Sequence, residues 1–138
     1  MGTISTLPLP GHGCMPKPCI YLIDDDVSVL RAIGRLVRSH GYEVSTFSSG
    51  IRGAEAICKE LPDCVIVDVQ MPEINGLDLM NEVIASGVRV PFIFITGFPK
   101  QEDRAAAMAA GAAAFIEKPF NADILLDKLR EIVEDASE

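Results

Sequence analysis

No run of apolar residues in this chain approaches the length of a membrane-spanning helix. Positive charge is scarce too. Twelve Lys and Arg stand against 20 Asp and Glu, for a formal net charge of −8. A duplex-DNA surface needs clustered Lys and Arg to meet phosphates, so nucleic acid is not an expected partner, and neither is a membrane. No CxxC pair occurs among the four cysteines (Cys14, Cys19, Cys58 and Cys64), and no histidine near them has ligand spacing, which argues against zinc. The start of the chain lacks the basic residues and continuous apolar centre of a secretory signal. Free thiols and a cytoplasmic location are therefore expected.

What is present is enough for one domain with a real core: 138 residues, 49% of them hydrophobic. Residues 1–18 contain Pro8, Pro10, Pro16 and Pro18 with Gly11 and Gly13, and read as a flexible leader. Gly11-His12 fits a cloning remnant. The domain itself is expected over 19–135, with 136–138 as a tail.

Five strands alternate with five helices. Ile20 to Ile23 is the first strand and ends in Asp24-Asp25-Asp26. Val29, Leu30, Ile33, Leu36 and Val37 then share a helical face, with Asp26 as N-cap and Gly41 as stop. Glu43 to Phe47 is a second strand, and Ser48 or Ser49 caps a helix running to about Glu60. Cys64 to Val67 is apolar on both faces, as a central parallel strand should be, and runs into Asp68. After Asn75-Gly76 a third helix places Leu77, Met80, Val83 and Ile84 on its apolar face and stops at Gly87. Pro91 to Ile95 is the fourth strand, ending at Thr96-Gly97. An alanine-rich helix covers Gln101 to Ala110, stopped by Gly111. Ala113 to Ile116 runs out into Glu117-Lys118-Pro119. The last helix carries Ile124, Leu125, Leu129, Ile132 and Val133. This order implies an α/β fold, a parallel sheet covered on both faces.

On that topology the carboxyl ends of four strands gather Asp24, Asp25, Asp68, Thr96 and Lys118 at one edge, where ligands of such sheets bind. Taken singly, each has an ordinary explanation: a helix start, a turn, a surface charge. Together they form a cluster of carboxylates that cannot all ionise cheaply. A hard divalent cation such as Mg²⁺ relieves that cost, and Thr96 and Lys118 can support a phosphoryl group by hydrogen bond and charge. The cluster reads as a place where an oxygen nucleophile meets a phosphoryl donor.

The stretches Tyr21 to Asp26 (YLIDDD), Val65 to Pro72 (VIVDVQMP) with Asn75-Gly76, Phe94 to Gly97 (FITG) and Phe115 to Phe120 (FIEKPF) closely resemble the receiver domain of two-component response regulators. The resemblance covers about Cys19 to Val133. It implies a flavodoxin-like, doubly wound sheet in the order 2-1-3-4-5. It also implies that Asp68 is the phosphoacceptor, and that Asp25, and Asp24 through water, hold Mg²⁺ with Asp68 and the main-chain carbonyl of Gln70. Lys118 contacts the phosphoryl oxygens, and Thr96 turns its hydroxyl toward them. Phe115 is the switch aromatic that moves inward as Thr96 moves. Gln70 and Phe98 stand where the family tunes the phosphoryl lifetime, and Lys118-Pro119 is a cis bond that aims the lysine. Asp26 extends the usual pair and reads as a cap.

The implied function is phosphorelay signalling. A sensor histidine kinase or phosphotransfer protein supplies the phosphoryl group, and the face formed by the fourth helix, fifth strand and fifth helix carries the output to a target or a second copy. The resemblance implies a phosphoacceptor that promotes its own phosphorylation and dephosphorylation, not an ordinary enzyme. One alternative is an aspartate-nucleophile phosphohydrolase, but its DxDx[TV] pattern fails at Ser28, and the chain has no room for a cap domain. The other is a receiver fold that no longer takes phosphate, yet such modules usually lose an acidic or Lys position, and none is lost here. Because the chain stops at Glu138, it reads as either a stand-alone receiver or a piece of a longer regulator. The FITG and EKPF stretches are similar to those of receivers attached to helix-turn-helix transcription factors, and stand-alone receivers share them.

Overall fold

Strand and helix alternate five times in the structure, a computed structural model that describes residues 17–136. The elements are β1 (Cys19–Ile23), α1 (Val27–Ser39), β2 (Glu43–Phe47), α2 (Gly50–Lys59), β3 (Cys64–Asp68), α3 (Gly76–Ala85), β4 (Phe92–Thr96), α4 (Gln101–Ala109), β5 (Ala114–Glu117) and α5 (Ala122–Ala136). Cys14, Gly11-His12, most of the expected leader and the last two residues of the expected tail lie outside the described residues. Pro18, assigned to the leader, accepts a hydrogen bond from the Glu43 amide at 2.9 Å and so extends the edge of the β1–β2 pair.

All strand pairs are parallel, in the spatial order β2-β1-β3-β4-β5. Every residue of β3 and β4 is buried, whereas the edge strand β2 is exposed at Glu43, Ser45 and Thr46. Side chains alternate between two layers. Ile23, Val65, Val67, Phe94 and Phe115 face α2, α3 and α4, where they meet Ile57, Leu79, Met80, Val83 and Ala107. Ile20, Leu22, Ile66, Ile95 and Ile116 face α1 and α5, meeting Leu30, Ile33, Val37, Leu125 and Leu129. Each such Val, Ile, Leu, Met or Phe side chain, fully buried, stabilises the fold by about 1.5–3 kcal/mol.

The helix starts and stops agree with local chemistry. Asp26, Ser49 and Asn75 cap α1, α2 and α3 by accepting amides of Ser28, Arg52 and Leu77. Gly41, Gly87 and Gly111 follow α1, α3 and α4 with φ of 93°, 91° and 103°, a conformation that favours glycine. Two apolar faces differ from expectation. In α3 the buried set is Gly76, Leu79, Met80 and Val83, while Ile84 is 46% exposed. In α5 Ile124 is 48% exposed and Leu126 is buried in its place. The rest of each expected stripe packs on the core, and contact with the sheet selects the positions that differ.

Candidate functional site

Parallel register sets the site. Ile23 pairs with Val67 and Asp68 with Ile95, so the chain leaves β1, β3 and β4 at one level. The reversal of strand order between β1 and β3 opens a crevice there. Asp24 follows β1 and is held by its own amide, which donates to the Phe47 carbonyl at 3.1 Å. Asp68 is the last residue of β3. The Lys118 amide donates to the Thr96 carbonyl at 2.7 Å, which brings the end of β5 against β4. The Lys118-Pro119 bond is cis, as expected.

Asp24, Asp25 and Asp68 each offer a carboxylate oxygen within 4.8 Å of the others, an arrangement that could hold a metal ion. Asp24 is fully buried, Asp68 is 7% exposed, and Asp25 lies at the surface. The Lys118 ammonium sits 3.4 Å from Asp24 Oδ2 and 3.8 Å from Asp68 Oδ2. Asp24 Oδ1 accepts the Asp26 amide at 2.8 Å, and Asp68 Oδ1 accepts the Gln70 amide at 3.3 Å. Three carboxylates facing one ammonium leave an excess of negative charge, and the excess is visible in proton affinity. Burial raises the Asp24 carboxyl above its ordinary value, against the pull of the Asp26 amide and Lys118. Burial and then the Asp24 charge push Asp68 up to about 6, again opposed by Lys118. A divalent cation with oxygen ligands fits this set.

Thr96 is fully buried, and its hydroxyl is engaged with Gln70 and Phe98 rather than with the carboxylates. Phe98 is 75% exposed, and its carbonyl accepts from the Gln70 side chain at 3.2 Å. Phe115, expected to move inward, is already buried here, 6.3 Å from the Phe94 ring.

Two contacts that sequence reasoning does not reveal bear on the site. Arg104 of α4 stacks 5.1 Å above the Phe115 ring and donates to the Phe115 carbonyl at 3.4 Å. Gly76 opens α3 so close to β3 that a Cβ there would overlap the Asp68 carbonyl oxygen. The Asn75-Gly76 pair signals a turn, but no feature of the sequence signals that approach.

A family model for the response regulator receiver domain matches residues 20–130. The chain is 40% identical over 111 residues to the response regulator protein TmoT of Ectopseudomonas mendocina, covering 80% of this chain and 50% of that protein. It is 34% identical over 111 residues to nodulation protein W of Bradyrhizobium diazoefficiens, covering 80% and 49%. The chain therefore spans about half the length of the curated relatives it matches. A solved response regulator receiver domain protein (CheY-like) from Methanospirillum hungatei JF-1 superposes with a TM-score of 0.82 at 27% identity, over 87% of this chain and 96% of that one. Strand order, the acidic crevice and these matches together place the chain in the family of receiver domains that belong to the response regulators of two-component signalling.

Proposed function

We propose that Asp68 accepts a phosphoryl group from a phosphohistidine on a sensor histidine kinase or a phosphotransfer protein. An Asp68 carboxylate oxygen bonds to phosphorus as the phosphorus–nitrogen bond of the donor breaks. The electron pair of that bond stays on the imidazole, and the products are an acyl phosphate and a histidine. Water later attacks phosphorus, the Asp68 oxygen–phosphorus bond breaks, and inorganic phosphate leaves. The observation that carries this reading is a nearly buried carboxylate at a strand end, 3.8 Å from the Lys118 ammonium and clustered with Asp24 and Asp25.

Asp24, Asp25, Asp68 and the main-chain carbonyl of Gln70 are the groups that would hold Mg²⁺. Bound there, the ion supplies charge neutralisation at the phosphoryl oxygens. Lys118 balances the same oxygens from the β5 side, and the Thr96 hydroxyl turns to them once they are present. Gln70 and Phe98 at the rim govern how long the acyl phosphate lasts. The output leaves by the α4–β5–α5 face, where a groove of about 420 Å³ is lined in part by Met108, Phe115, Ile124 and Lys128. Met108 and Ile124 are 46% and 48% exposed there, and a target protein or a second copy covers them after phosphorylation. The cytoplasm, where thiols such as Cys58 stay reduced, is the expected setting.

Intact-mass spectrometry after incubation with acetyl phosphate and Mg²⁺ tests the acceptor. One phosphoryl adduct is expected on the wild type and none on Asp68→Asn. An unchanged adduct on Asp68→Asn moves the site to another residue.

A further inference from the structure

Gln70, two residues past the acceptor, has a side chain that closes a small ring of hydrogen bonds. The Thr96 hydroxyl donates to Gln70 Oε1 at 2.6 Å. The Phe98 amide donates to the Thr96 hydroxyl oxygen at 3.1 Å, and Gln70 Nε2 donates to the Phe98 carbonyl at 3.2 Å. The directions are set by chemistry. A main-chain carbonyl only accepts, so Nε2 must face Phe98. That leaves Oε1, which also only accepts, facing Thr96. The hydroxyl must then donate, and it has a single proton to give. While the ring is closed, Thr96 has no donor left for an anion on Asp68. Thr96 is also fully buried, so its hydroxyl does not exchange Gln70 for water without opening the loop.

We propose that Gln70 is a latch on Thr96: a positioning residue that holds the hydroxyl and the first residues of the β4–α4 loop in the resting arrangement. This rests on the reading of Asp68 as acceptor and Thr96 as the responding hydroxyl. The same residue touches the acceptor through its main chain, by the amide bond to Asp68 Oδ1 at 3.3 Å, and touches the responding hydroxyl through its side chain. Phosphorylation shifts α4 only to the extent that the phosphoryl oxygens outcompete the Gln70 amide for one proton. Gln70 thereby sets the fraction of domains switched on at a given occupancy, separately from any effect on water at the acyl phosphate.

The test uses the full chain with Mg²⁺ and beryllofluoride as the phosphoryl mimic. Backbone amides of 97–109 are followed by NMR in the wild type, Gln70→Met and Gln70→Ala. Gln70→Met keeps the length and loses both polar atoms. The expected result is a beryllofluoride midpoint about three- to tenfold lower in both variants, the equilibrium worth of one net hydrogen bond. In a Thr96→Val background the same substitutions should leave the midpoint where Thr96→Val alone puts it. An unchanged midpoint, or an equal shift in both backgrounds, overturns the latch, because Gln70 would then act independently of Thr96. A second readout needs no phosphoryl mimic. In the resting protein, Gln70→Met should shift the Phe98 amide and speed proton exchange at the Thr96 hydroxyl, and no change at either overturns the latch. If the wild type takes neither beryllofluoride nor phosphate, the acceptor reading has failed, and the resting measurement still decides the latch.

Discussion

Asp68 and Lys118 face each other across a crevice in which negative charge is in excess, and acidity reports it most directly. In metal-free protein the Asp68 carboxyl titrates at about 6, against an unfolded value of about 3.9. The folded chain holds that proton more tightly than the unfolded chain does. The associated stability is present in full below about pH 4 and is lost as pH rises through about 6. Asp68→Asn removes the loss. Urea unfolding in EDTA at pH 8 should show the variant more stable by on the order of 2 kcal/mol, with the gap gone at pH 4. Added Mg²⁺ should narrow the gap at pH 8 by stabilising the wild type. A wild type that instead gains on the variant between pH 4 and pH 8 would reverse the assigned sign. These carboxylates are legible in the sequence because each ends a recognisable apolar run, and parallel strands carry such ends to one edge. Gln70 and Arg104 are different. Their contacts depend on side-chain rotamers across loops, and neither residue type nor spacing encodes those.

Among the helices, α4 is the least anchored. Ala107 is its only buried residue, and Lys100 caps it with no side-chain bond. Arg104 fastens it to β5 through the Phe115 ring and carbonyl, with Glu117 at 3.8 Å. The exposed Glu117 pair adds little, while the stack contributes about 0.5–1 kcal/mol. Amide hydrogen exchange should therefore be fastest in α4 among the five helix interiors, and Arg104→Ala should speed it about two- to fivefold with little change in the global melting temperature. Exchange in α4 as slow as in α1 would contradict this ranking. The run of alanines makes a shallow, movable helix legible from sequence, but not what pins it. Helix faces show the same limit. In α3, Met80 and Val83 pack with Leu79 in the structure, yet helical spacing alone admits Ile84 equally well. Only the sheet beneath decides.

At the scale of the molecule, the parallel sheet is what the sequence declares most plainly, through four apolar runs ending in polar residues. It separates two layers of side chains that share strands and little else. Thr96, Phe94 and Phe115 alternate onto the layer under α4, while Ile95 and Ile116 point into the layer under α1 and α5. Ile116→Val should lower stability by about 0.5–1.5 kcal/mol and leave the beryllofluoride midpoint of α4 where it is. Phe115→Leu, one residue away, should move both. Coupled changes from Ile116→Val, read by NMR titration and urea unfolding, would show the sheet to be porous to the switch. Otherwise the sheet works as a partition wall: lineages, and engineers, can refurnish the rear room for heat or cold while the trigger in the front room keeps its setting.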